Sequence, residues 1–305
     1  MKLLIVGAGG IGGYFGGRIV QGGGNVTFLV RERRAAQLSA NGLIIRSPIG
    51  DFSAPVQFVT LQEMDASADV VVLSCKAYDL PAVIDEIGPR LSPHTRILPL
   101  LNGIAHYDDL DRYFGRDRIL GGLCHIGATL ADGGEILHLN KLQFLAYGPR
   151  HASQVHACQV LEPVLARGGF APVLSNDIEQ DAWEKFAMLA AYASVTCLMQ
   201  APIGVILAAP GGEAILRGTF AECCDVAAAF GRAPRGTFHD QTIATFTDRG
   251  SSGASSMLRD MTRGNRIEAD HIVGDMVARA ERVNVAAPML RTALARLKCY
   301  EAQRT

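Results

Sequence analysis

Apolar residues along this chain fall into two regimes. Up to about residue 176 they come as short, nearly unbroken, mostly aliphatic runs, Leu3 to Val6, Val26 to Val30, Val70 to Ser74 and Ile97 to Leu101, separated by segments of helical periodicity. Such runs read as strands buried on both faces, and their alternation with helices predicts a parallel sheet covered by helices on both sides. Two further apolar runs in 118–148 flank Asp132-Gly133-Gly134, a hairpin signal, so an antiparallel extension is expected to close the sheet. From Asp177 the period lengthens to that of helices over Ile178 to Met199, Gly212 to Phe230, Glu268 to Val283 and Pro288 to Ala302, with Pro and Gly breaks between them. Asn176-Asp177 supplies a helix cap and Glu179 and Asp181 place acid at its positive end. The chain is therefore expected to hold an α/β domain over 1–176 and an all-α domain over 177–305.

The first strand runs directly into glycines. In "LLIVGAGGIGGYF" the residues Gly7, Gly9 and Gly12 form G-x-G-x-x-G between a strand and a helical segment. Each has a task in a Rossmann-type nucleotide fold: Gly7 makes the tight turn, Gly9 admits a pyrophosphate to the backbone, and Gly12 lets helix and strand pack closely. The free amides at the helix N-terminus then bind the phosphates. At the tip of the second strand stands Arg31, suited to a forked contact with a ribose 2′-phosphate, which points to NADP; Glu32 beside it carries the opposing signal, since NAD sites place an acid there.

Composition narrows the partners. Lys and Arg number 29 against 30 Asp and Glu, so a net charge of −1 gives no general attraction to nucleic acid or to an anionic membrane, and a small molecule is expected. Seven cysteines (Cys75, Cys124, Cys158, Cys197, Cys223, Cys224, Cys299) lie scattered without Cys-x-x-Cys or zinc-like spacing. They read as small apolar residues of a reducing, cytoplasmic compartment, with no metal site. Glycines interrupt the opening apolar run, so no secretion signal is expected, and no apolar stretch reaches the eighteen residues a bilayer span requires.

Further words then become legible: "SCKAYDL" at 74–80, "LLNGI" at 100–104, "GATLADGGEILH" at 127–138, "DAWEKF" at 181–186 and "SSMLRDMTRGNRIEAD" at 255–270. In order and spacing the chain resembles the ketopantoate reductases (2-dehydropantoate 2-reductases) over nearly its whole length. The resemblance implies NADPH-dependent reduction of 2-dehydropantoate, a step of pantothenate biosynthesis, or of a similar branched 2-oxo acid, in a cleft between a Rossmann-type domain and a helical one. It also implies that Lys185 is the catalytic lysine, that Glu268 is the catalytic-site glutamate, that Ser256 binds substrate, and that Lys76 and Asn102 lie on the cofactor side. Chemistry agrees with these residue types, because hydride addition to a ketone develops negative charge on oxygen and needs a cation or acid beside it. Lys185 is assigned to protonate or polarise that oxygen, Glu268 to orient the lysine and the substrate hydroxyl, Asn102 to organise ketone and nicotinamide, and Ser256 to hold the carboxylate.

Each residue also has a plainer reading: a solvated helix lysine, a turn asparagine before Gly103, a helix cap at Ser255 or Ser256, an acid on a helix dipole. The chain departs from the family one and two helical turns beyond the lysine, where family members carry asparagines and Leu189 and Ala193 stand here. Tyr192 and Thr196 lie within about 20° of the direction of Lys185 on a helix, so either hydroxyl is a candidate substitute, and Tyr192 is placed among the substrate contacts. The same departure leaves open a more apolar 2-oxo acid, an NADP-binding sensor without turnover, or an enzyme resembling the 3-hydroxyacid dehydrogenases. His125 and His138 read as structural, the vicinal Cys223-Cys224 as non-redox, and Trp183 as a domain-interface anchor. A helical second domain with apolar faces is the kind that forms homodimers.

Overall fold

The computed structural model describes residues 1–304, which divide into two compact units. One comprises Met1–Leu101 and His106–Glu179; the other comprises Asn102–Ala105 and Gln180 onward. Asn102–Ala105 thus leaves the sheet and packs with the helical part, a detour that no break in the hydrophobic pattern announces.

In the first unit the buried runs become β1 (Leu3–Val6), β2 (Val26–Leu29), β3 (Leu43–Arg46), β4 (Phe52–Ala54), β5 (Gln57–Val59), β6 (Val70–Leu73) and β7 (Arg96–Pro99). Five of them form a wholly parallel sheet in the order β5-β2-β1-β6-β7. Leu3 to Val6 are buried at its centre, in register with Val26 to Leu29 on one side and Val70 to Leu73 on the other. Strand order reverses at β1, and in open α/β sheets the crevice beyond the carboxyl ends of such strands is where ligands bind.

The hairpin does form, from β8 (Gly121–Leu130) and β9 (Ile136–Gly148), but it builds a sheet of its own instead of closing the parallel one. β9 pairs in parallel with β3 and with β10 (Val173–Leu174), while β3 pairs antiparallel with β4. A single bridge, Ile97 to Ile119, reaches the edge of the parallel sheet. The reason lies in helix α1 (Gly10–Gln21), which is buried from both directions. A β-carbon on Gly16 would press on Ile5 and Phe28 of the parallel sheet, and one on Gly13 or Gly17 on Ile136, Leu43 or Ile45 of the mixed sheet. Small residues on both faces let two sheets clamp one helix at close range. The remaining helices of this unit are α2 (Glu32–Asn41), α3 (Leu80–Ile87), α4 (His106–Phe114) and α5 (Val155–Ala166).

The second unit is helical: α6 (Ile178–Met199, its first two residues counted with the first unit), α7 (Ile203–Ala208), α8 (Gly212–Ala229), α9 (Gly236–Phe246), α10 (Ser256–Thr262), α11 (Asp275–Arg282) and α12 (Pro288–Gln303). A π-helical turn, Asp270–Gly274, leads into α11. The expected interface residue Trp183 finds its partners inside this unit: it stacks on Phe230 with ring centroids 5.2 Å apart, and the Arg279 guanidinium lies 5.3 Å from its ring. Glu184 is buried and takes a backbone and a side-chain hydrogen bond from Arg235 at 2.7 and 2.8 Å. Among the described residues no helix is long and apolar enough to cross a membrane.

Candidate active site

The glycine turn has the geometry its sequence suggests. Gly7 closes the turn after β1 at φ +95°, and its amide donates to the Leu29 carbonyl at 2.9 Å. A β-carbon on Gly12 would overlap the Ser74 hydroxyl and the Gly7 carbonyl oxygen, so only glycine lets α1 start this close to β1 and β6. Gly9, the cap residue of α1, has the opposite environment: a β-carbon there would meet nothing within 4 Å. Open space over the first amides of a helix is what a phosphate group requires.

Beside it lies a cleft of about 640 Å³, lined by Gly7, Ala8 and Gly9, by the strand ends Val6, Leu29 and Val30, and by Ser74 and Cys75 after β6. Arg31, Glu32, Arg34, Thr60, Asp79, Glu86 and Leu130 complete much of its wall. Volume, position at the strand reversal and amide-lined floor fit the adenosine and pyrophosphate parts of a dinucleotide. Ser74, which sequence reasoning left unassigned, donates to the Val6 carbonyl at 2.9 Å and so ties β6 to the turn.

The two arginines of the cleft differ sharply. Arg31 has a side chain 78% exposed and pairs with Asp79 at 3.3 Å, so it stands at the rim with its charge partly answered. Arg34 is 9% exposed; its Nε donates to the Ala8 carbonyl at 3.0 Å and its Nη1 to the Gly134 carbonyl at 2.7 Å. Its Nη2 is buried without a hydrogen-bond partner, and burial lowers its pKa from the ordinary value. An unmet buried donor of this kind costs about 1–3 kcal/mol. Four charged residues in a row, 31–34, read as a solvated tract, and nothing in the sequence distinguishes the fourth.

Lys76 follows β6 and opens the short 3₁₀ turn Ala77–Asp79, accepting through its carbonyl from the Asp79 amide at 2.9 Å. Asn102, Lys185, Tyr192, Ser256 and Glu268 all belong to the second unit. Lys185 is 7% exposed on α6, and its Nζ donates to Asn102 Oδ1 at 3.2 Å. Gly103 at φ +77° provides the turn that offers the Asn102 side chain to the lysine. This is a buried, positioned lysine and not a solvated one. Glu268, also 7% exposed, stands at the start of the helix that runs through the π turn, its carbonyl accepting from the Ile272 amide.

The two serines divide their work. Ser255 caps α10, accepting from the Leu258 amide at 3.1 Å, so Ser256, one residue on, is relieved of that task. Thr196, a candidate for the substrate face, is fully buried and spends its hydroxyl on the Tyr192 carbonyl and on Ser255 at 2.7 and 2.8 Å. Tyr192 is half-buried and stacks on Phe246, and a β-carbon on Gly253 would lie 2.5 Å from its hydroxyl, placing the phenol against the loop that leads to Ser256. Burial raises its pKa, outweighing the opposing pull of Arg259, so the phenol remains a donor at neutral pH. Leu189 is partly exposed and Ala193 is buried, and neither supplies a hydrogen bond from its side chain. His138 meets Ser47 through Nδ1 and the Leu142 carbonyl through Nε2, each at 2.9 Å. Burial pushes the Cys224 thiol up to about 12 and also raises Cys223 well above its ordinary value.

A parallel-sheet unit with a glycine turn opening its first helix, followed by a helical unit with a buried lysine, is the arrangement of a Rossmann-type two-unit oxidoreductase. The chain belongs to the ketopantoate reductase family: the family described as ketopantoate reductase PanE/ApbA matches residues 3–151, and its C-terminal part matches residues 177–301. Its curated relatives include an uncharacterized oxidoreductase, YkpB, of Bacillus subtilis (strain 168), 37% identical over 304 residues and spanning 100% of both chains. Among solved structures, a PanE/ApbA family ketopantoate reductase from Ralstonia eutropha JMP134 aligns with a TM-score of 0.88 at 25% identity, over 100% of this chain and 99% of that one. A D-mandelate dehydrogenase, solved with NADH and anilino(oxo)acetate, shares the fold with a TM-score of 0.89 at 20% identity, over 99% of each chain.

Proposed function

We propose that this protein reduces 2-dehydropantoate, or a similar branched 2-oxo acid, to the 2-hydroxy acid with NADPH. The observation that carries the reading is the buried Lys185–Asn102 hydrogen bond in a chain whose first turn is an open amide cradle. Gly7, Gly9 and Gly12 would hold the cofactor's pyrophosphate, Arg31 its ribose phosphate, and Lys76 and Asn102 the part nearer the chemistry. When bound, NADPH supplies the hydride. Lys185 faces the carbonyl oxygen and gives it a proton or a hydrogen bond as negative charge builds there. Asn102 keeps the ammonium aimed, since its amide oxygen accepts one of the three lysine protons. Glu268 orients the lysine and the nascent hydroxyl, while Ser256, free of capping duty, donates to the substrate carboxylate, with Tyr192 beside it.

A second reading concerns the side chain of the substrate. Leu189 and Ala193 continue the Lys185 face of α6 with methyl groups, which favours a 2-oxo acid whose side chain lacks a hydroxyl over one that needs a donor there. The enzyme is placed in a reducing cytoplasm, acting on a small molecule and assembled as a homodimer. The deciding experiment is oxidation of NADPH and of NADH with 2-dehydropantoate and a panel of branched and aromatic 2-oxo acids. Turnover of 2-dehydropantoate with NADPH supports the first reading, preference for an unhydroxylated acid supports the second, and wild-type kcat/KM in Lys185→Ala removes both.

A further inference from the structure

We propose that Arg34 is a positioning residue of the phosphate cradle, holding the Ala8–Gly9 peptide with its N–H turned to the open side and seating the β8–β9 turn next to it. The inference rests on the reading of the cradle as a dinucleotide site. A trans peptide is planar, with carbonyl and N–H pointing in opposite directions, and the described residues contain no cis bond. Pinning the Ala8 oxygen on Arg34 Nε therefore directs the Gly9 N–H away from the arginine. Gly9 is where a side chain would meet only open space.

The guanidinium's other arm fixes a second wall. Arg34 Nη1 donates to the Gly134 carbonyl, and Gln37, one helical turn on, donates to the Asp132 carbonyl at 3.1 Å. The turn so held carries Leu130, an exposed apolar residue, into the lining of the cleft. The guanidinium reaches the two carbonyls from separate, fixed donors, Nε and Nη1, whereas a lysine would have to reach both from one ammonium.

The charge completes the argument. Arg34 has two carbonyls and the Gln37 amide oxygen as its hydrogen-bond acceptors and, among the described residues, forms no ion pair with a carboxylate. The acids of the cleft are Glu32, Asp79 and Glu86, and Asp79 is paired with Arg31. A buried cation without a carboxylate partner adds positive potential behind the cradle amides, and a bound pyrophosphate would answer it.

The test uses the full chain, comparing Arg34→Met and Arg34→Lys with wild type by calorimetric titration of ADP-ribose, which carries the pyrophosphate without the nicotinamide, and of NADPH and NADH. Arg34→Met is expected to raise all three Kd values about tenfold and to leave the NADPH-to-NADH ratio within about twofold; Arg34→Lys should fall between. Gln37→Ala removes the bond to Asp132 and one acceptor of Arg34 but leaves the Arg34–Ala8 bond in place, so it should weaken ADP-ribose binding less than Arg34→Met does. Unchanged ADP-ribose affinity in Arg34→Met overturns the proposal, and if that variant does not fold, unchanged affinity in Arg34→Lys does so. A collapse of the NADPH-to-NADH ratio also overturns it, by making Arg34 a reader of the extra phosphate. Equal losses in Arg34→Met and Gln37→Ala, tracking a lowered Tm, reduce Arg34 to a structural role. Wild-type protein that binds neither ADP-ribose nor NADPH sinks the cofactor reading itself, whatever Arg34 does.

Discussion

Lys185 Nζ donates to Asn102 Oδ1 across 83 positions of sequence, joining the long helix of the second unit to the short loop that follows the last strand of the parallel sheet. If the pair acts as proposed, Lys185→Ala lowers kcat by about 10²–10⁴-fold with little change in the Kd of NADPH. Asn102→Ala, which leaves the ammonium present but unaimed, lowers kcat by on the order of tenfold. Steady-state kinetics with titrated cofactor binding separates the two effects.

Tyr192→Phe is expected to raise the substrate KM by about three- to tenfold, the equivalent of one net hydrogen bond, while the KM for NADPH stays put. The phenol's raised pKa keeps it protonated across the neutral range, so the effect should not vary between pH 6 and pH 8. Unaltered KM and kcat would leave Tyr192 as a packing residue against Phe246.

The same substitution made at two glycines of one turn should give opposite phenotypes. Gly12→Ala forces a methyl into the Ser74 hydroxyl and the Gly7 carbonyl, so a stability loss of about 1–3 kcal/mol is expected with overpacking of this kind. Gly9→Ala meets no atom and has ordinary extended backbone, so its Tm should stay at the wild-type value while NADPH binding weakens. Thermal melts and cofactor titrations of both proteins check the pair.

Glu184 is expected to contribute to the acid sensitivity of the second unit. Burial raises its pKa, but the hydrogen bonds from Arg235 outweigh it and the net shift is below the ordinary 4.5. A folded value below the unfolded one means that the stabilisation is complete above about 4.5 and is lost as pH falls through the lower, folded value. Tm should be flat from pH 7 to pH 5 and fall below that. Glu184→Gln should start lower, by about 1–3 kcal/mol, and show a shallower acid limb.

Cofactor occupancy should be visible at a thiol. Cys75 is partly buried and lines the cleft, whereas Cys299 is exposed. Saturating NADPH is expected to slow alkylation of Cys75 severalfold and leave Cys299 unaffected, as peptide mapping would reveal. Equal rates with and without NADPH at Cys75 would place the cofactor elsewhere.

Much of this is legible in the sequence, for a physical reason. Leu3 to Val6 and Val70 to Leu73 are apolar at every position because both faces of a central parallel strand are covered, and α6 runs from Ile178 to Met199, a stretch free of Pro and Gly. The glycine spacing specifies a turn, a close packing and an open cap, and all three are found at Gly7, Gly12 and Gly9. Short half-exposed strands such as Phe52–Ala54 have too few residues for a period to emerge. Thr196 shows another limit: helix geometry gives the direction of its β-carbon, but the hydroxyl turned back to the Tyr192 carbonyl and to Ser255. Arg34 shows a third, since whether a charge in a polar tract is solvated or buried depends on a hairpin about a hundred residues away.

The wide turn at Asp270–Gly274 couples two otherwise separate requirements. It accommodates one more residue than an ordinary helical repeat, which shifts the angular phase of everything after it by about 100° relative to what comes before. Upstream of that phase change sits Glu268; downstream, Met276, Val277 and Ala280 point into the interior. Removing one residue here would turn Glu268 by about 100° relative to the buried Met276, Val277 and Ala280.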